Sequence, residues 1–242
     1  MGYTLKFEFS FELGRIYVLK KILVGTMLIA TLSNPNASAE SSMVFDVGFE
    51  KVAMVSAGVT VEGYIEMGDD SFKIKAYPEA IYYYSKAIEL DSNCAKAYFG
   101  RGLSQHERGD FDIAVIDLTK AISIDPNYVD AYVVRGVAYD YLGKSDIAIE
   151  DFNTALGIDP KKSWAYLNRG NAYKKKGNLD RAIADYNRAI EFSPKYSIAY
   201  SNRANAYEAK GDIQRAIADN KKALEIDPNN KYARKNLDRL QG

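Results

Sequence analysis

Residues 163–196 read SWAYLNRGNAYKKKGNLDRAIADYNRAIEFSPKY, and residues 197–230 read SIAYSNRANAYEAKGDIQRAIADNKKALEIDPNN. Laid over one another without a gap, they match Tyr166 with Tyr200, Asn168 with Asn202, Arg169 with Arg203, Gly177 with Gly211 and Ala182 with Ala216. The same 34-residue step carries back to Val61, giving five units that span 61–94, 95–128, 129–162, 163–196 and 197–230. A repeat of this length decides the fold before any local propensity does. Each unit is one supersecondary element that buries its apolar face only by stacking on its neighbours.

The recurring columns have physical reasons. The fourth residue of each unit is Tyr64, Tyr98, Tyr132, Tyr166 and Tyr200, and the eighth is Gly68, Gly102, Gly136, Gly170 and Ala204. The twentieth and twenty-seventh are always Ala, as in Ala182 and Ala189. Small residues at these places let two helices cross closely, with the aromatic filling the space beside them. Gly109, Gly143, Gly177 and Gly211 stand where the first helix must end in a left-handed turn. Pro126, Pro160, Pro194 and Pro228 stop the second helix. Periodicity alone predicts ten antiparallel helices. Residues 231–242 stay in register, with Tyr232, Ala233, Leu237 and Leu240 at helical spacing and a charged face, and are read as a capping helix.

These columns resemble the tetratricopeptide repeat. The resemblance implies an all-α, right-handed α-solenoid of five repeats closed by a C-terminal helix, and a protein-binding role. The first unit departs most, with Ser71 for an aromatic, Lys75 for Gly and Ser92 for Pro. A terminal unit has one neighbour and tolerates this.

Two further columns vary together. The seventh position reads Met67, Arg101, Arg135, Arg169 and Arg203, while the twenty-third reads Tyr83, Asp117, Asp151, Asp185 and Asp219. Arg occurs only with Asp, so four bidentate ion pairs are expected as internal struts.

The resemblance also implies a concave wall built from the second, fifth, sixth, ninth, twelfth and thirteenth residues of each unit. In the fourth and fifth units these include Trp164, Leu167, Asn168, Asn171, Lys174, Lys175, Asn202 and Asn205; in the second and third they include Phe99, Leu103, Val133 and Val137. An Asn amide offers a donor and an acceptor, so a row of them can hold an extended peptide backbone; equally, the row can bond to the neighbouring unit. Exposed Trp164 would suit a contact hot spot. The apolar wall suits an amphipathic helix or apolar segment, or is covered by residues 40–60. The two-carboxylate clamp of chaperone-binding relatives is not expected: Asn171 and Asn202 fit it, but Leu167, Tyr232 and Asn236 replace its basic residues.

Composition narrows the function. With 32 Lys plus Arg against 32 Asp plus Glu, the formal charge is zero, which argues against generic nucleic-acid binding. One Cys, Cys94, and one His, His106, supply neither a disulfide nor a Cys/His zinc site. No phosphate loop or catalytic motif appears, so no catalytic residue, metal or cofactor is assigned.

At the N-terminus, Lys20-Lys21, the apolar run 22–32 and Ala37-Ser38-Ala39 follow the order of a secretory signal peptide. An apolar run of 11 residues is too short for a membrane span. Cleavage is expected after Ala39, with no membrane span in the mature chain and a periplasmic or secreted location. If residues 1–39 are no leader, the location is cytoplasmic. Translation from Val18 would leave a more typical leader. Residues 40–60 form a linker or a short helix.

The function expected is a non-catalytic scaffold or adaptor that binds a protein or peptide in its groove. The alternative is head-to-tail self-association, motivated by unit charges of −4, −1, −2, +4 and 0 and a cap of +3.

Overall fold

A computed structural model describes residues 59–241; the expected leader (1–39) and nearly all of the linker (40–60) lie outside the described residues. Ten helices form five hairpins. They are α1 (Val61–Lys73) with α2 (Tyr77–Leu90), α3 (Ala95–Arg108) with α4 (Phe111–Ile124), and α5 (Val129–Tyr141) with α6 (Ser145–Ile158). Two more pair α7 (Ser163–Lys175) with α8 (Leu179–Phe192), and α9 (Ser197–Ala209) with α10 (Ile213–Ile226); α11 (Lys231–Gln241) closes the series. No strand occurs among the described residues.

Each helix packs on the next in chain order, and the first helices of successive units also touch, α1 with α3 through to α7 with α9. Second helices make no comparable contact with one another. The first helices therefore form the inner wall of the solenoid and the second helices its outer layer.

The hairpins close because of a few residues. Gly109, Gly143, Gly177 and Gly211 take φ between 77° and 89° at the turn between the two helices. Lys75 holds the same left-handed turn in the first unit at φ 61°, where a Cβ is strained. Between units, Asp91, Asp125, Asp159 and Asp227 each accept from the backbone N–H two residues on, at 2.8–3.0 Å. These Asx turns lead the chain into the next first helix.

The core is a series of clusters that straddle unit boundaries. Ala114, Leu118 and Ala121 of the second unit pack with Ala131 and Val134 of the third. Phe152, Ala155 and Val133 of the third pack with Ala165 and Ala172 of the fourth. Within a unit the crossing is tight: a Cβ at Gly170 would lie 2.7 Å from the Tyr186 ring. In the fifth unit Ala204 replaces that Gly, and Asn220 replaces the ring.

Four arginines tie the units together. Arg169 donates from Nε and Nη2 to both oxygens of Asp185, at 2.9 and 2.7 Å. Arg101, Arg135 and Arg203 do the same to Asp117, Asp151 and Asp219. The remaining Nη1 reaches back into the preceding unit, to Ser85, Thr119, Asn153 or Asn187, at 2.6–3.0 Å. Each guanidinium also lies 5.4–5.6 Å from the centre of the Tyr ring three residues before it. Hydrogen bonding to Asp117 raises the Arg101 pKa. In the other three, burial lowers the pKa and the Asp partner more than offsets it.

Candidate functional site

The inner wall is where side chains of the first helices are brought side by side. Its upper half, on α7, α9 and α11, is polar. Asn202 donates from Nδ2 to Oδ1 of Asn171 at 2.9 Å, and the same Asn171 oxygen accepts from the Tyr186 hydroxyl at 2.9 Å. One step further, Asn236 donates to Asn205 Oδ1 at 2.6 Å. Asn168 donates from Nδ2 to the carbonyl of Trp164 on its own helix, at 2.9 Å. The asparagines are thus stitched into the solenoid, each by one end of its amide.

The other ends are unused. Among the described residues, Asn168 Oδ1, Asn171 Nδ2, Asn202 Oδ1 and Asn205 Nδ2 have no hydrogen-bond partner. None of the four is sealed from solvent. The sixth position of both units therefore presents an acceptor and the ninth a donor, the pair that a peptide N–H and C=O would satisfy.

Charged rungs run beside this row. Lys175 Nζ meets the Asp140 carbonyl at 2.6 Å and its carboxylate at 3.5 Å. Arg239 grips Glu208 through two bonds, at 2.5 and 2.7 Å; this hydrogen bonding and the Arg239 charge pull the Glu208 carboxyl below its usual range. Lys174 is partly buried without such a partner, and burial pushes its pKa down.

The lower half of the wall is apolar. Phe99 and Leu103 line a cavity of about 240 Å3 with Phe72, Tyr84 and Tyr128. Phe99 and Tyr128 ring centres are 4.8 Å apart. Asp69 borders the cavity, accepting from the Tyr84 hydroxyl at 2.7 Å and facing Lys96 at 3.2 Å. His106 is partly buried beside Phe111 and Tyr141, with both ring nitrogens enclosed and neither making a hydrogen bond.

Three residues expected on the wall are placed otherwise. Val133 is fully buried in the boundary cluster with Phe152, and Leu167 is 4% exposed in the next cluster, with Tyr186. In these two units the fifth position points at the neighbouring unit, so neither side chain can touch a partner, whereas Phe99 at the same position of the second unit stays partly exposed. Trp164 is partly buried and packs against three successive core clusters, a wedge between units rather than an open contact. Phe99, Leu103, Val137, Asn168, Asn171, Lys174, Asn202 and Asn205 remain partly accessible, and Lys175 is exposed. Tyr232, expected within the apolar spacing of the cap helix, is 79% exposed, while Ala233 is buried.

Sequence reasoning missed the acceptors at the twenty-fifth position. Ser85, Thr119, Asn153 and Asn187 precede units that carry Arg, whereas Lys221 precedes the cap, which has Leu237 there. That third column was the available signal. Among the described residues, no group of His, Cys, Asp or Glu is arranged to hold a metal ion, and no helix is long and apolar enough to cross a membrane.

Comparison with known proteins agrees with this architecture. A family model described as TPR repeat matches residues 68–109, 141–177 and 170–211, and models described as tetratricopeptide repeat match 95–128 and 197–230. The crystal structure of the protein MamA is 28% identical, covering 71% of this chain and 93% of that one, with a TM-score of 0.60. TTC0263, a thermophilic TPR protein of Thermus thermophilus, is 21% identical over 75% of this chain and 99% of that one, with a TM-score of 0.65. YrrB, a TPR protein with an unusual peptide-binding site, is 23% identical over 76% and 95%, with a TM-score of 0.57. No curated protein sequence matches the chain. The repeat models together cover more than half of the 242 residues, and the chain belongs to the tetratricopeptide repeat family.

Proposed function

We propose that the chain is a non-catalytic scaffold that binds an extended segment of a protein partner along the inner wall formed by its first helices. The observation that carries this reading is the row of half-used amides at Asn168, Asn171, Asn202 and Asn205, whose free atoms alternate acceptor and donor. The cavity at Phe99 and Leu103 continues the groove and takes an apolar side chain of the same segment. Residues 1–39 are proposed to direct export, with cleavage after Ala39 and a periplasmic or secreted mature protein; N-terminal sequencing of the mature protein tests this.

A photo-crosslinking residue placed at Leu103 or Asn205 on the inner wall, or at Ile116 on the outer layer, tests the groove reading in cells that express the protein. Adducts from the two inner positions are expected. Adducts confined to Ile116, which is 68% exposed, would refute it.

A second reading, head-to-tail self-association, is favoured by the charge difference between the first unit, −4, and the cap, +3. Light scattering across a salt series decides it: a monomer at high concentration and low salt removes the model.

A further inference from the structure

Among the described residues, every partly buried Lys or Arg but one meets a carboxylate: Lys86, Arg101, Arg135, Lys162, Arg169 and Arg203 all do. Lys174 is the exception. Its position on the wall explains why. The twelfth-position row runs from Asp140 on α5 through Lys174 on α7 to Glu208 on α9. Asp140 is engaged by Lys175 and by the Ser145 hydroxyl, at 3.5 and 2.5 Å. Glu208 is held by both arms of Arg239. The carboxylates at the equivalent positions one unit before and one unit after Lys174 are thus occupied, and its own side chain is partly buried with no carboxylate partner among the described residues.

Resting on the groove reading above, we infer that Lys174 receives a carboxylate of an acidic extended peptide whose neighbouring peptide unit is held by Asn171 and Asn202. Lys174 lies one helical turn beyond Asn171, so a side chain and the adjacent backbone of one segment reach both. The fourth unit carries a net charge of +4, which draws an acidic segment to this stretch of wall. The depressed Lys174 pKa has burial as its cause and no carboxylate opposing it, so an arriving carboxylate would restore the charged form.

Two fluorescent extended peptides, one alternating Ser and Glu and the other Ser and Gln, test this by anisotropy. Lys174→Gln should weaken the Glu peptide about tenfold and leave the Gln peptide unchanged, with Lys174→Arg recovering most of the loss. Lys195→Gln, which removes an exposed lysine of the same unit, controls for bulk charge. Equal losses in Lys174→Gln and Lys195→Gln, or no loss in either while the Gln peptide still binds, would overturn the assignment of Lys174 and leave the groove reading intact. Failure of the wild-type protein to bind either peptide would overturn both. With lysines labelled by 13C reductive methylation, the Lys174 resonance should titrate below the other lysines in the free protein and move up when the Glu peptide is added. A midpoint indifferent to that peptide would contradict the inference.

Discussion

Arg169→Met strikes the fold where its struts and its inter-unit ties coincide. The substitution removes two charge-assisted bonds to Asp185, one to Asn153 in the preceding unit, and the approach to the Tyr166 ring. It leaves the Asp185 carboxylate, 7% exposed at its side chain, with no cation beside it. Removing one partner of a buried pair costs about 3–5 kcal/mol; because Arg169 keeps 20% exposure, about 3 kcal/mol is expected here. Asp185→Leu should cost less, about 2 kcal/mol, because the stranded guanidinium keeps Asn153 and water. The double variant should lose only about 2 kcal/mol in all, a coupling of about 3 kcal/mol, since an apolar pair needs no desolvated charge. For a chain of this size Arg169→Met then lowers Tm by roughly 6–12 °C. Urea unfolding of the four proteins measures the cycle. Far-UV circular dichroism follows the whole solenoid, and Trp164, the only Trp in the chain, follows the boundary before α7. Agreement of the two probes matters because stacked repeats can unfold in segments. A coupling below about 0.5 kcal/mol would refute the strut.

Three other expectations follow from single residues. Lys75→Gly should stabilise the first hairpin by about 0.5–1 kcal/mol, because an exposed side chain is removed from a left-handed turn; thermal melting that shows a loss would contradict this. Gly170→Ala should cost about 1–3 kcal/mol, because its Cβ would meet the Tyr186 ring. At the matching fifth-unit position, Ala204→Gly should cost no more than about 1 kcal/mol, the difference in helix propensity. Urea midpoints that reverse this order would count against the crossing geometry. His106, the only His, should titrate below its ordinary value of 6.5, because burial lowers its pKa while Glu107, 3.5 Å from Nδ1, only partly opposes it. A depressed His pKa means that the unfolded chain binds the proton first, so stability falls as pH drops through about 6.5. A single-resonance NMR titration with a midpoint above 6.5 would reverse that sign, and His106→Gln should flatten this part of the stability profile.

Much of this architecture was legible because a repeat compares one residue with four equivalents in the same chain. Gly177 could be placed at a turn because three of its four counterparts are Gly, as a left-handed φ favours, and Ala182 at a crossing because all of its counterparts are Ala. Arg and Asp vary together because either alone leaves a buried charge. The wall was harder to read. Position five looks like position nine on a helical projection, yet the curvature of the stack turns Val133 and Leu167 inward and leaves Val137 and Asn171 accessible. Trp164 could not be placed from its own unit, since its burial depends on three clusters that draw on four units. The amides of Asn171, Asn202 and Asn205 are each half spent on a neighbouring unit or the cap for the same reason: rotation between units is a tertiary quantity with no sequence period of its own.

The most direct test of the groove is a crystal structure of the protein with a peptide selected against it from a display library. The peptide should lie across α5, α7 and α9, with backbone groups bonded to Asn171 and Asn202. A peptide seated on the outer layer, against Ile113 and Ile116, with the inner wall empty would contradict it.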